Sequence, residues 1–273
     1  MRTIIVPVNF TENSMNAARY AADMALSANA DLDLLHVVQI PVSVAEFPVN
    51  DFVFEDMQES GTKGLNELRD ELIKRTEGRV KISLHKEIGD IGYKIEQFCQ
   101  QKKPFIVVMG ASGSGLEALL MGTHIGTSIH RLPYPLIVVP AHATFRLDAR
   151  ILLACDLEDL AGGLPMRASF LKALQEIFQA RFEVININTK KEQAEVATVF
   201  ESDSWKECIR EMLPEIHFVV NNKVEEGIGQ YLGEHPADLV MVFPKKHNFF
   251  EFHRSQAKKI ALHGKVPVMS IHA

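Results

Sequence analysis

The hydrophobic pattern of this chain changes repeatedly between two periods. Short runs rich in β-branched residues, such as Thr3–Val8, predict strands, and apolar residues recur at helical spacing between them, as in 15–28. The segment 11–14 offers residues that cap helices, Thr11, Asn13 and Ser14, directly before that helical stretch. The run 105–109 is apolar throughout, which is typical of a central parallel strand covered on both faces. The pattern therefore predicts an α/β protein with a parallel sheet between helical layers.

Strands and helices are predicted in regular alternation along both halves of the chain. In the first half, strands are predicted at 3–8, 32–38, 80–88, 105–109 and 136–140, and helices at 15–28, 52–76, 91–101 and 123–131. In the second half, strands are predicted at 150–156, 181–187, 216–221, 239–243 and 266–271, and helices at 164–178, 194–213, 224–233 and 251–262.

The two halves look like two copies of one domain. Residues 4–9 align with 151–156, and the later strand–helix–strand layout of the first half returns near the end of the chain. A chain of 273 residues suits two units, since domains commonly hold about 100–150 residues. We predict domains at 1–140 and 149–273, joined by a linker at 141–148.

Composition and charge exclude several classes of protein. The net charge is −6 and neither half is basic, which argues against nucleic acid as a partner. No apolar run approaches the ~18 residues of a membrane span, and the first apolar run is too short for a signal peptide. Cys99, Cys155 and Cys208 lack CxxC spacing and read as the reduced thiols of a cytoplasmic protein.

A glycine-rich turn is present in the first half and missing from the second. Glycine lets backbone N–H groups converge on an anion, and the start of the helix predicted at 123 adds a positive dipole end. In the second half, 244–250 replaces this turn, so we expect only the first half to hold a phosphate. The residues of the turn are Gly110, Gly113, Gly115, Gly122 and Thr123.

No catalytic or metal-binding constellation is recognisable in the sequence. There is no GxxxxGK[ST], G-x-S-x-G or HExxH pattern, and the acids are scattered. The run Gly113-x-Gly115-x-x-Ala118 fits a dinucleotide fingerprint, but it follows a late strand and lacks the acid about 20 residues on. We therefore expect a protein that is not an enzyme and that holds no tightly bound metal.

Two aromatic segments allow more than one interpretation. Phe47, Phe52, Phe54 and Met57 either cover the sheet and its crevice or form a lid or a contact with the other domain. The second segment, 249–252, contains three phenylalanines at the position of the missing turn, and the hypothesis is that they fill that crevice.

The opening 3–14, the strand 34–37 (LLHV) and the block 107–116 with Gly122-Thr123 resemble the universal stress protein family. The resemblance continues more weakly at 149–156 and 265–272, which indicates a tandem, two-domain member. It implies, for each domain, a Rossmann-like, adenine nucleotide alpha hydrolase-like sheet of five parallel strands in the order 3-2-1-4-5. It also implies that some members bind ATP and others do not, and that domains pair as dimers or within one tandem chain.

The sequence departs from the pattern of the ATP-binding members at two places. Eight residues separate Gly113 from Gly122, where those members have nine, and Gly115 could take over part of the role of Gly113. Asn9 stands where those members usually have Asp, whereas the second copy keeps the acid as Asp156. Each copy therefore lacks a different part of the family pattern.

The strand order implied by the resemblance places a binding crevice between the first and fourth strands, where the order reverses. The turn after Asn9 and the turn after Gly110 would face each other there, and Val37 and Val38 would flank an adenine. ATP, with Mg²⁺, is the candidate ligand. Two functions remain open: a nucleotide-binding stress-response module, or an interaction protein without nucleotide that acts through its paired domains. The candidate binding residues are Pro7, Val8, Asn9, Val37, Val38, Gly110, Gly113, Gly115, Gly122 and Thr123.

Overall fold

The chain divides into two compact units, Met1–Phe145 and Arg146–Ala273. The computed structural model describes residues 2–39, 51–111, 132–154, 168–188, 215–221, 224–242 and 266–271. The division falls inside the segment 141–148 that the sequence suggests as a linker. The first part of that segment packs on its own unit, because Asn16 Nδ2 donates to the carbonyls of Pro140 and Ala143 at 2.9 and 3.0 Å.

The first unit is a parallel five-stranded sheet with helices between its strands. Its strands run in the order β3-β2-β1-β4-β5, and each neighbouring pair is parallel. The predicted fold class and strand order are therefore confirmed. The predicted helix at 123–131 lies outside the described residues. In chain order the elements are β1 (Thr3–Val8), α1 (Glu12–Ala28), β2 (Asp31–Val38), α2 (Asp51–Arg75), β3 (Ile82–Ile88), α3 (Ile91–Lys102), β4 (Ile106–Gly110) and β5 (Leu136–Val139).

Helix α1 begins three residues earlier than the hydrophobic pattern predicts. Its N-cap is Thr11, whose side chain accepts a hydrogen bond from the backbone N–H of Ser14. Residues 12–14 therefore form the first turn of the helix, whereas the hydrophobic pattern predicts that they precede it. The helix ends at Asn29, which adopts the left-handed conformation (φ 48°) that closes many helices.

The two faces of this sheet are covered by different helices. Helices α1 and α2 lie side by side, joined by Arg19 Nε to Glu71 at 2.6 Å and Arg75 Nε to Asp23 at 2.7 Å. Helix α3 covers the opposite face, because its Lys102 forms an ion pair with Asp33 of β2. Side chains alternate along a strand, so the residues on either side of Asp33 point to the face that carries α1 and α2. Buried apolar strand residues, among them Ile4 and Ile5 of β1, fill both interfaces.

The second unit repeats this topology. Its strand order is β8-β7-β6-β9-β10, and each neighbouring pair is again parallel. The helices predicted at 194–213 and 251–262 lie outside the described residues. The described elements are β6 (Arg150–Ala154), α4 (Ala168–Phe178), β7 (Arg181–Asn188), β8 (Glu215–Val220), α5 (Val224–Glu234), β9 (Leu239–Val242) and β10 (Val268–Ser270).

The repeat extends to a buried acid at the third residue of each unit's second strand. Asp33 of β2 is 4% exposed and lies 3.3 Å from Lys102 Nζ. Glu183 of β7 is 8% exposed and accepts hydrogen bonds from Arg150 Nε (2.8 Å) and the Tyr231 hydroxyl (3.1 Å). Burying a carboxylate is costly unless charged or polar groups compensate it, and each unit supplies them from different elements.

Candidate functional site

The turn between β1 and α1 is built on Asn9. Its Oδ1 accepts hydrogen bonds from the backbone N–H of Thr11 at 3.3 Å and from the Thr11 hydroxyl at 2.7 Å. The backbone N–H of Asn9 donates to the hydroxyl of Ser14, which in turn donates to the Thr11 carbonyl. Asn9 is exposed, and Phe10 directly after it takes a left-handed backbone conformation (φ 60°). The amide side chain therefore holds the shape of the turn at the carboxyl end of β1.

The end of β4 lies directly against the first turn of α1. A Cβ atom on Gly110 would come within 2.4 Å of the Asn13 carbonyl oxygen, a distance that real side chains do not tolerate. The Asn13 side chain also donates to the Ala111 carbonyl at 3.0 Å. Glycine at 110 thus has a packing reason for its presence, independent of any ligand. The carboxyl ends of β1 and β4 meet here beside the N-terminus of α1.

Three half-buried apolar side chains point to the face of the sheet that α3 covers. The β1–β2 and β1–β4 registers, Ile5 with Asp33 and with Val107, put Pro7, Val37 and Met109 on that face. All three stand at the carboxyl ends of their strands. Met109 was missed by the sequence analysis, since nothing in its apolar run distinguishes it. Its register beside Pro7 is the signal that marks it.

Val8 and Val38 point to the opposite face and are buried, at 4% and 3% exposure. Their main-chain carbonyls also have partners. The Val8 carbonyl accepts from His36 Nδ1 at 2.9 Å, and the Val38 carbonyl accepts from the backbone N–H of Gly89 at 3.0 Å. A ligand at this edge would therefore meet Pro7, Asn9, Val37 and Met109 before it met these two valines.

The rest of the predicted site lies outside the described residues. Gly113, Gly115, Gly122 and Thr123 are among these residues, and their role in phosphate binding stays a prediction. Phe47 and the aromatic segment 249–252 also lie outside the described residues. Residues 52 and 54 belong to α2, and Met57 on the same helix is 36% exposed.

The described ionisable groups bear on the question of a metal site. Among the described residues, no group of three or more His, Cys, Asp or Glu side chains could hold a metal ion. In that part of the chain, no helix has the length and apolar character that crossing a bilayer demands. Burial raises the pKa of the Cys99 thiol on α3 to about 12, which favours the protonated, unreactive form.

The family model of the universal stress proteins matches residues 1–140. The chain belongs to the universal stress protein family. A curated member of the family from Methanocaldococcus jannaschii is 26% identical over 144 residues, spanning 50% of this chain and 81% of that relative. The resemblance read from the sequence is thereby confirmed.

Two solved structures resemble this universal stress protein along its whole length. One, a universal stress protein from Archaeoglobus fulgidus, gives a TM-score of 0.73 at 16% identity, covering 99% of this chain and 98% of its own. A second, a putative universal stress protein from Pseudomonas aeruginosa, gives 0.64 at 15% identity, covering 100% and 93%. At these identities the likeness concerns the fold, and it supports the tandem arrangement.

Proposed function

We propose that this universal stress protein binds an adenine nucleotide, ATP in the first instance, in its first unit, and that it acts by binding rather than by catalysis. The observation that carries the proposal is the meeting of β1 and β4 at the reversal of strand order, beside the first turn of α1. Open α/β sheets bind their ligands at such a point.

The base and ribose would lie at the rim formed by β1, β2 and β4. The half-buried side chains of Pro7, Val37 and Met109 form an apolar surface on one face of the sheet, which suits a planar base. Asn9 stands exposed beside it, with a side-chain amide that can donate as well as accept. These four residues are the proposed contacts to the nucleoside.

The phosphates would lie against the glycine-rich segment that follows β4. Gly113, Gly115 and Gly122-Thr123 are the proposed sources of converging N–H groups and of one hydroxyl. Mg²⁺ would bind chiefly through phosphate oxygens, since it retains several waters in such sites. In the second unit, the replacement of these glycines by 244–250 leads us to propose one nucleotide per chain.

Nucleotide titration with calorimetry and thermal unfolding tests the proposal. ATP with Mg²⁺ should bind at one site per chain and raise the midpoint of unfolding, because only the native state binds it. Gly113→Val and Gly122→Val should abolish both effects. Gly229→Val is the matched control, because its surroundings on α5 are open and it lies in the second unit.

Two outcomes would contradict the proposal. If ATP, ADP and cyclic AMP give neither heat nor a shift in the unfolding midpoint, the protein is better described as an interaction protein that works without nucleotide. If ATP binds and is converted to ADP in many turnovers per chain, the statement that it acts without catalysis is wrong. Incubation with ATP followed by chromatography of the nucleotides distinguishes these cases.

A further inference from the structure

His36 on β2 is not among the proposed nucleotide contacts, but it forms a hydrogen bond to the strand that ends beside them. Its Nδ1 lies 2.9 Å from the main-chain carbonyl oxygen of Val8, at the carboxyl end of β1. Because a carbonyl oxygen only accepts, Nδ1 carries the proton and donates this hydrogen bond. The His36 ring also contacts the ring of Phe10, with centroids 4.6 Å apart. The side chain thus contacts β1 and the turn after it at two points.

Helix α2 packs against the rings of both His36 and Phe10. A Cβ atom on Gly61 would lie 2.8 Å from His36 Cδ2, and one on Gly64 would lie 2.8 Å from the ring of Phe10. The two glycines are three residues apart, which places them on the same side of the helix. Glycine at both positions lets the helix pack directly against the two rings. These contacts favour the orientation of the His36 ring in which Nδ1 donates to the Val8 carbonyl.

Asn9 lies between the two points that His36 holds. Val8 precedes it and is held through its carbonyl oxygen, and Phe10 follows it and is held through its ring. Phe10 has a left-handed backbone (φ 60°), a conformation that costs free energy in a bulky residue and needs support from its surroundings. The contacts of His36 supply that support on both sides of the exposed amide.

The second unit has an asparagine at the position equivalent to His36. Strands β2 and β7 both contain eight residues, and His36 and Asn186 are each the sixth. Asn186 is buried at 1% exposure. The N–H group of an asparagine side chain sits about as far from the backbone as histidine Nδ1, so the repeat itself suggests a conservative replacement.

We propose that His36 is a positioning residue of the nucleotide site. Its Nδ1–H fixes the end of β1 and so directs the Asn9 side chain toward the ribose. This inference rests on the proposed function and adds to it a residue that does not touch the ligand.

Two substitutions separate the hydrogen bond from the packing of the ring. His36→Phe keeps an aromatic ring against Phe10 and Gly61 but removes the donor, whereas His36→Asn keeps a donor and removes the ring. Without this hydrogen bond the turn should hold its binding conformation for only part of the time, and ATP binding should weaken by up to about tenfold in His36→Phe. His36→Asn should bind within about threefold of the parent. His85→Phe is the matched control, since His85 on β3 faces Phe98 of α3 and should leave affinity unchanged.

Hydrogen exchange in the nucleotide-free protein gives a second readout. The amides of 9–15 should exchange faster in His36→Phe than in the parent, while those of 61–64 keep their protection. The proposal is overturned if the affinity for ATP changes in proportion to the free energy of unfolding in His36→Phe, His36→Asn and His85→Phe. It is also overturned if hydrogen exchange at 9–15 is the same in His36→Phe and the parent. If the parent binds no nucleotide, the proposed function fails, and the exchange at 9–15 still decides whether His36 holds the turn.

Discussion

The α-carbon of Gly110 packs on the main chain of Asn13, so that β4 and α1 touch without an intervening side chain. A Cβ at 110 would lie 2.4 Å from the Asn13 carbonyl oxygen and 2.8 Å from the Ser14 nitrogen. Both are backbone atoms in the first turn of a helix, and they cannot yield as the end of a flexible side chain can. The contact fixes how closely the ends of β1 and β4 approach each other.

Gly110→Ala should therefore destabilise the protein. Overpacking of a tight contact costs about 1–3 kcal/mol, and we expect a loss in this range in urea-induced unfolding. Gly229→Ala is the control, since a Cβ there meets nothing within 4 Å and the residue lies in α5. That variant should gain up to about 1 kcal/mol, because alanine favours helix over glycine. Equal stability of Gly110→Ala and the parent would show that the contact is looser than described.

Substitution of Asn9 tests the turn at the end of β1. Asn9→Asp keeps an acceptor for both hydrogen bonds from Thr11, and its charge lies near the positive end of α1, so stability should change by less than about 0.5 kcal/mol. Asn9→Ala removes both bonds and should cost about 0.5–1.5 kcal/mol. Chemical denaturation of the three proteins measures the difference. A larger loss in Asn9→Asp than in Asn9→Ala would contradict this account.

The thiol of Cys99 should be inert in the folded protein. Burial raises its pKa to about 12, so almost no thiolate exists at pH 8, and its side chain is fully buried in α3. Iodoacetamide at pH 8 should leave Cys99 unmodified in buffer and modify it in denaturant. Mass spectrometry of the peptides distinguishes it from Cys155 and Cys208. Rapid labelling of Cys99 in the native protein would show that α3 opens readily.

The phenol of Tyr231 should make stability depend on alkaline pH. Burial, with a contribution from the Glu183 carboxylate, raises its pKa from 10.0 to about 12. The native state therefore holds the phenolic proton more tightly than the unfolded state does. This contribution to stability is fully present below about pH 10 and is lost as the pH rises toward 12.

Tyr231→Phe isolates that contribution. The free energy of unfolding of the parent minus that of the variant should fall between pH 10 and pH 12 and stay level between pH 7 and pH 9. Taking the difference between the two free energies of unfolding removes the contribution of lysine titration, because both proteins contain the same lysines. A difference that is flat across the alkaline range would show that the pKa of Tyr231 is not raised in the folded protein.

The α/β class and most element positions could be predicted from the sequence because they depend on local periodicity. The strand order came from the family resemblance, since alternation alone does not say which strands are neighbours. The pattern places the start of α1 three residues too late, because Thr11, Asn13 and Ser14 can each cap a helix and only geometry shows that Thr11 accepts from Ser14. A local pattern thus finds a helix more readily than its first residue.

The candidate site was predicted less completely than the fold. Asn9 and Gly110 were found as residues at the ends of adjacent strands, but the reason for glycine at 110 is a contact with residue 13, far away along the chain. Met109 and His36 were not selected, because their importance arises from strand register and from the approach of α2. Strand register and helix packing bring together residues that are far apart along the chain, so a local sequence pattern does not reveal them.

The buried acids at the third positions of β2 and β7 limit how far the two halves of this protein can be treated as exchangeable modules. Asp33 is paired with a lysine of α3, whereas the longer Glu183 is paired with an arginine of the neighbouring strand β6 and accepts a hydrogen bond from a tyrosine of α5. If β7 replaced β2 in the first half, Glu183 would be longer than the aspartate it replaces and would lack its partner Arg150. A chimaera of the two halves must therefore keep each second strand together with the elements that supply its partners, α3 in the first unit and β6 with α5 in the second.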